Sequence, residues 1–201
     1  MALDTYTGLK TAIQTWLARS DLSGDVDDMI DLFEAWANRN LRMPQMEQEA
    51  IAQASEYIAL PIDFLELRDI QWQGSPRSEL EYMTPTAADI YDTSGSTSTP
   101  KFYTLVGDQI RLIPSPSDTT VNVRIDYWKK VPALSASNAS NWMLALYPDA
   151  YLYGSLVQGH VRVQDPQLAA FIASAWAGIM RELQGSGKLA NIGSLLRVRV
   201  A

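Results

Sequence analysis

Few side chains in this sequence could do chemistry, and none stands in a pattern that a known reaction requires. His160 is the only histidine, and no Gly-x-Ser-x-Gly turn accompanies it. A serine hydrolase triad would depend on this one residue as its base. Because its helical neighbours are mostly apolar, we interpret His160 as a packed or interface histidine.

The carboxylate side chains could form two further kinds of site, a hydrolase active site or a cation site. Asp63 with Glu66, or Glu79 with Glu81, could serve as the acid and base of a hydrolase, but such pairs occur in nearly any chain of this length. A cation could be bound by a run of four aspartates, Asp25, Asp27, Asp28 and Asp31. That run lacks the glycine and the closing glutamate of an EF-hand loop, so we expect the acidic first turn of a helix instead.

The sequence features of cofactor sites are missing. The chain has no cysteine, which excludes disulfides, thiolate metal sites and a cysteine nucleophile. Neither a Gly-x-Gly-x-x-Gly loop nor a P-loop occurs, so no phosphate-binding loop is expected. We therefore expect no catalytic residue, no cofactor and no metal.

The charge balance argues against a protein that binds nucleic acid tightly. The formal net charge is −7, whereas a protein that grips nucleic acid is normally basic on at least one face. An acidic wall would repel phosphate and let DNA slide past without specific binding. No apolar stretch approaches the ~20 residues of a membrane span, and residues 1–4 lack the start of a signal peptide. We expect neither membrane insertion nor secretion.

Helical periodicity marks both ends of the chain, and short strand-like runs occupy the middle. Apolar residues recur at helical spacing over about 5–19, 25–42, 148–163 and 165–185, with a short helix near 141–147. The run Gly185-Ser186-Gly187 predicts a helix end and a hinge. Residues 46–131 contain strand-like runs between turn residues, including strict alternation over 121–127 and a hairpin turn at 106–109.

These elements predict an α+β fold that is mainly α. We expect an antiparallel four-helix core formed by residues 1–45 and 133–185. A small antiparallel β domain of residues 46–132 would be inserted between helices 2 and 3. Residues 186–201 would form an extended C-terminal tail.

A group of aromatic residues indicates either a core or an interface. Four of them lie within a dozen positions, namely Trp142, Tyr147, Tyr151 and Tyr153. They could pack inside the subunit, or they could anchor the contact between subunits of a ring, because aromatic side chains are enriched at interfaces. The spacing does not decide between these two interpretations.

The C-terminal segment alternates apolar and basic residues. It could be a frayed terminus, or it could dock on the sheet edge or groove of a partner. In the second interpretation the docking residues are Lys188, Leu195, Leu196, Arg197, Val198, Arg199 and Val200. The apolar half of the alternation favours docking.

Several stretches, taken in order, resemble the head-to-tail adaptor (connector) proteins of tailed bacteriophages. None is a chemical motif by itself, and their ordered combination carries the resemblance. Together they span most of residues 5–185, and they comprise residues 39–42, 57–68, 99–103, 107–114, 127–134, 141–144 and 147–154.

The resemblance implies a structural virion protein, assembled in the host cytoplasm, and not an enzyme. It implies a homo-oligomeric, twelve-fold ring that docks on the portal protein through the C-terminal tail, receives tail or nozzle proteins and leaves an axial channel for DNA. Two alternatives stay open. One is a tail-completion or stopper protein of the same connector, and the weaker one is a carboxylate hydrolase that uses Asp63, Glu66 and His160.

Overall fold

The structure, a computed structural model, describes residues 3–18, 24–92, 95–159 and 166–192. The chain divides into two compact units, a helical unit of Met1–Met46 with Val131–Ala201 and a β unit of Glu47–Lys130. The described residues form six α-helices and ten β-strands. In chain order these are α1 Tyr6–Leu17, α2 Val26–Asn40, β1 Glu47–Gln53, β2 Tyr57–Ala59, β3 Phe64–Trp72, β4 Ser78–Glu79, β5 Glu81–Tyr82, α3 Pro85–Tyr91, β6 Thr97–Ser98, β7 Phe102–Val106, β8 Gln109–Ile113, β9 Ser115–Pro116, β10 Asn122–Lys129, α4 Trp142–Leu146, α5 Pro148–Gly159 and α6 Pro166–Ile192.

The first two helices begin and end where local chemistry favours it. The Thr5 side chain accepts the backbone N–H of Gly8 and caps α1, which ends at Ala18 in the left-handed conformation. In α2, acidic residues lie in the first turn and Arg39 in the last, as the helix dipole favours. The helices expected near 5–19 and 25–42 are therefore confirmed.

In the helical unit, α5 contacts α1, α2 and α6. Its approach to α2 depends on glycine, because a Cβ at Gly154 would collide with the ring of Phe33. That ring is fully buried and meets Tyr151 and Trp176 edge to face, at centroid distances of 4.9 and 5.8 Å. An aromatic core thus joins α2, α5 and α6.

The β unit contains two four-stranded sheets and one two-stranded sheet. The first sheet has the order β1-β10-β3-β4 and is antiparallel throughout. The second has the order β2-β8-β7-β5, with β5 parallel to β7, and β6 pairs with β9. One hydrophobic cluster contains residues of both larger sheets, among them Ile58, Ile110 and Ile125. The alternation predicted for β10 is confirmed, since Val123, Ile125 and Tyr127 are buried.

The predicted fold class, a mainly α four-helix core with a small β insertion, is wrong. The described residues form six helices and two four-stranded sheets that share a core. The error has a physical origin, because local spacing does not show how extensively the short strand-like runs of residues 46–132 pair with one another. Strands as short as β4 or β5 gain stability only through partners far along the chain, and those partners cannot be identified from local spacing.

The predicted helix end at residues 185–187 is also wrong. Helix α6 continues through Gly185 and Gly187 to Ile192, so residues 186–192 are helical and do not begin an extended tail. Each glycine weakens a helix by only about 1 kcal/mol relative to alanine, and neither proline nor a β-branched run follows before residue 192. Glycine alone did not terminate this helix.

Candidate interaction surfaces

The side chain of Asp63, one of those proposed for catalysis, has a structural role within the β unit. Asp63 accepts a hydrogen bond from the hydroxyl of Tyr127 at 2.9 Å, and its backbone carbonyl accepts the N–H of Lys130 at 2.7 Å. Burial and the bond to Asp63 raise the pKa of Tyr127 to about 12. Asp63 therefore ties the turn before β3 to β10. Glu66 lies on β3, and His160 lies outside the described residues.

The acidic first turn of α2 holds two helices together. Asp27 accepts a hydrogen bond from the hydroxyl of Tyr6 at 2.8 Å and pairs with Lys10 at 2.6 Å. The Lys10 ammonium lowers the pKa of Asp27, while burial and the Asp27 bond raise the pKa of Tyr6 to about 12. Within the described part of the chain, no group of histidine, aspartate and glutamate residues could hold a metal ion.

Tyr151, one of the predicted interface aromatics, belongs to the core. It is fully buried, and its hydroxyl donates to Glu34 at 3.0 Å and accepts the amide of Asn141 at 2.6 Å. Glu34 also accepts the backbone N–H of Leu134 at 2.9 Å, and burial raises the pKa of its carboxyl group. Tyr151 thus ties α2 to the segment that leads into α4, and it cannot contact another subunit in this conformation.

The other three predicted interface aromatics remain half-buried. They are Trp142 at the start of α4, Tyr147 between α4 and α5, and Tyr153 on α5. Tyr153 meets Trp16 edge to face at 5.7 Å. These side chains have free area for a partner and stay interface candidates.

Sequence reasoning missed two further members of the surface around Tyr153. Phe171 on α6 stacks on Trp16 at 6.2 Å and lies 6.4 Å from Tyr153. Phe171 is 51% exposed and Trp16 38% exposed, so this aromatic cluster of Trp16, Tyr153 and Phe171 faces outward. The sequence contained a sign that Phe171 is exposed, because this residue lies beside the apolar stripe of α6 that includes Ile172, and not within it.

The predicted docking tail is only partly described. Lys188 lies on α6. Residues 195–200, which carry the rest of the predicted docking set, lie outside the described residues.

In the β unit, one arginine fastens α3 to the second sheet. Arg111 on β8 binds Asp89 at 2.7 Å and Asp92 at 3.0 Å, with Glu56 at 3.7 Å. The Asp92 side chain is only 7% exposed. Removal of the Arg111 guanidinium would therefore leave a nearly buried carboxylate without its charge partner. The cluster explains how a helix of seven residues stays in place.

Arg111→Met is expected to lower the free energy of unfolding by about 2 kcal/mol, because two charge-assisted bonds are lost while the apolar stem is kept. Lys10→Met is the matched control, since the Lys10–Asp27 pair is more exposed and should contribute under about 1 kcal/mol. Chemical denaturation of both variants measures the difference. Equal losses would show that Arg111 does not fasten α3.

Comparison of the sequence with models of protein families identifies the family to which this chain belongs. The sequence matches the family model described as SU10 adaptor protein over residues 4–199. The chain belongs to the SU10 adaptor protein family. The match includes both units, and the resemblance to phage head-to-tail adaptors is confirmed at the level of the family. No curated protein matches the chain.

Two further observations bear on this member of the family. None of the helices among its described residues combines the length and apolar character needed to cross a bilayer. The carboxylate of Asp63, which was proposed for a hydrolase, accepts a hydrogen bond from the Tyr127 hydroxyl. The described residues do present surfaces that a partner protein could bind, namely the aromatic cluster on the helical unit and the open edges of the sheets.

Proposed function

We propose that this chain is the subunit of a ring that connects the portal of a tailed phage to its tail and leaves an axial channel for DNA. The observation that carries the proposal is the family match, which spans residues 4–199 and so covers both units. A structural adaptor function requires binding surfaces and no catalytic centre. The family favours such a virion component over an enzyme.

The ring is proposed to be a closed twelve-mer with heterologous contacts, in which one patch of each subunit meets a different patch of its neighbour. Trp142, Tyr147 and Tyr153 are the predicted interface residues, and the aromatic cluster adds Trp16 and Phe171. Aromatic anchors with free area suit such contacts, since they carry much of the binding energy of interfaces.

The net charge of −7 supports a channel that does not hold DNA. Acidic walls repel phosphate, so the DNA would pass without specific contacts. A map of the assembled ring that showed an inner wall dominated by lysine and arginine would contradict this proposal.

The assembly test is a mass measurement on the purified chain, alone and mixed with its portal protein, with no tail protein present. An adaptor is expected to form a complex of one portal with a closed ring of this chain. A tail-completion or stopper protein would stay unbound until a tail component was added. Failure to bind in either mixture would end the virion connector proposal.

The C-terminal segment is proposed to dock on the portal through Lys188 and residues 195–200. Because α6 continues to Ile192, the deletion that tests the segment begins at residue 193. We expect this deletion to leave the circular dichroism spectrum unchanged and to reduce portal binding at least roughly tenfold, as the loss of a buried docking strand implies. Unchanged portal binding would contradict the docking role.

A further inference from the structure

The first sheet of the β unit has an open edge at β1. This strand of seven residues pairs with β10 on one side, and no described strand pairs with its other side. Proteins commonly protect long edges with lysine, proline or a bulge, because an open edge can add a foreign strand. The β1 sequence contains neither lysine nor proline.

The register shows which backbone groups the edge presents. Ala54 donates its N–H to Val121 O at 2.9 Å, in line with the β1–β10 pairing. Since hydrogen bonds alternate along an antiparallel pair, residues 48, 50 and 52 point their N–H and C=O groups toward β10. Those of residues 47, 49, 51 and 53 point to the open edge. The Gln48 side-chain amide donates to Glu49 O at 3.0 Å, in the place of a strand partner.

The side chains at this edge include two carboxylates on one face, and two alanines with one glutamine on the other. Glu47, Glu49 and Ile51 are exposed on the outer face. Ala50 and Ala52 are partly buried against the core of the β unit. A strand added here would meet two carboxylates on its outer face, and Gln48, Ala50 and Ala52 on its inner face.

The outer face also carries more negative than positive charge. Glu49, Asp126 and Asp69 lie in direct cross-strand register on β1, β10 and β3. Arg124 binds Asp126 at 2.7 Å and reaches Glu49 at 3.8 Å, and Arg68 binds Glu47 at 2.6 Å. Like charges placed directly opposite each other destabilise a sheet, so a cation added beside Glu49 would be favourable. The same charge disfavours the pairing of two β1 strands from different copies.

The chain itself contains a segment of the complementary chemistry. Arg197 and Arg199 have the same two-residue spacing as Glu47 and Glu49, and Leu196, Val198 and Val200 alternate with them. With the arginines beside Glu47 and Glu49 on the outer face, Val198 would lie beside Gln48 on the inner face, and either Leu196 (antiparallel strands) or Val200 (parallel strands) would lie beside Ala50. Residues 193–195 separate the end of α6 at Ile192 from this segment, and an extended chain from residue 192 to residue 196 spans roughly 13 Å.

We propose that the open edge of β1 binds residues 196–200 of a second copy of this chain as an added strand. The portal docking proposed above uses the same segment, and one strand cannot occupy both places. Pairing with β1 is therefore the position of the segment before the portal is bound. The inference concerns the free protein, so its test contains no portal and leaves the assembly proposal untouched if it fails.

The absence of cysteine makes a direct test possible. Full-length Gln48→Cys, exposed on the inner face of β1, is mixed with full-length Val198→Cys and treated with a short bis-maleimide cross-linker, which tolerates a shift of one or two residues in register. Ile90→Cys, 73% exposed on α3, replaces Gln48→Cys in the control mixture. We expect at least roughly tenfold more cross-linked heterodimer with Gln48→Cys, and equal yields would overturn the proposal.

Charge reversal tests whether the acidic edge recognises the basic segment. Glu47→Arg with Glu49→Arg on the first chain, or Arg197→Glu with Arg199→Glu on the second, should each reduce the yield roughly fivefold. The two reversals combined should restore it, which also controls for misfolding. Glu79→Arg with Glu81→Arg, an equal charge change on β4 and β5, should have no effect. A lack of restoration, or cross-linking only within single chains of a Gln48→Cys, Val198→Cys double variant, would overturn the proposal.

Discussion

Glu34→Ala is expected to lower the free energy of unfolding by about 4 kcal/mol, because it leaves two buried donors unpaired at about 2 kcal/mol each. The N–H of Leu134 and the hydroxyl of Tyr151 both donate to the Glu34 carboxylate. Glu34 itself is only 5% exposed, so water cannot readily replace it. Urea denaturation of the variant and the unmodified chain measures the loss.

Glu34→Gln separates the hydrogen bonds from the charge. Glutamine keeps an oxygen that can accept both bonds and removes the buried negative charge, so its loss should stay under about 1 kcal/mol. A loss as large as that of Glu34→Ala would mean that the charge, and not the acceptor, holds the network.

The Glu34 carboxyl group also makes the free energy of unfolding depend on pH, and the direction of this dependence can be predicted by comparing Glu34→Gln with the unmodified chain. Burial raises the pKa of Glu34 above its ordinary value of 4.5. The folded state therefore holds the proton more tightly, and this contribution to stability is complete below pH 4.5 and is lost as the pH rises through the folded pKa. Glu34→Gln does not titrate at this position, so its stability relative to the unmodified chain should increase as the pH rises above 4.5. Parallel stability curves would contradict the raised pKa.

Gly154→Ala is expected to lower the free energy of unfolding by about 3 kcal/mol, although alanine is the better helix former. The new Cβ would collide with ring atoms of Phe33. That ring cannot move aside cheaply, because it is fully buried and contacts Tyr151, Trp36 and Trp176. Thermal unfolding followed by circular dichroism measures the effect.

Gly178→Ala is the matched control for this clash. Gly178 also lies within a helix, and a Cβ at that position would meet nothing within 4 Å. We expect it to raise stability by about 0.5–1 kcal/mol through the better helix propensity of alanine. If both substitutions shifted the unfolding temperature in the same direction, the close approach of α5 to α2 would not control stability.

Local spacing in the sequence was sufficient for several elements. Helices α1 and α2 follow from apolar residues at helical spacing, and β10 follows from strict alternation of buried and polar residues. The hairpin of β7 and β8 follows from Gly107, which adopts a φ of +62°. Each of these signals acts over fewer than about twenty residues. The absence of cofactor motifs and the ordered stretches that indicated the family are likewise properties of the sequence.

Only the tertiary structure decided which residues meet across the chain. Glu34 is buried because a backbone N–H one hundred positions away donates to it, and no local pattern distinguishes it from an exposed helix glutamate. The same holds for the two four-stranded sheets and for Tyr151, which spacing alone left between core and interface. Burial and strand pairing depend on contacts distant in sequence, and the free energy of those contacts is decided by the fold as a whole.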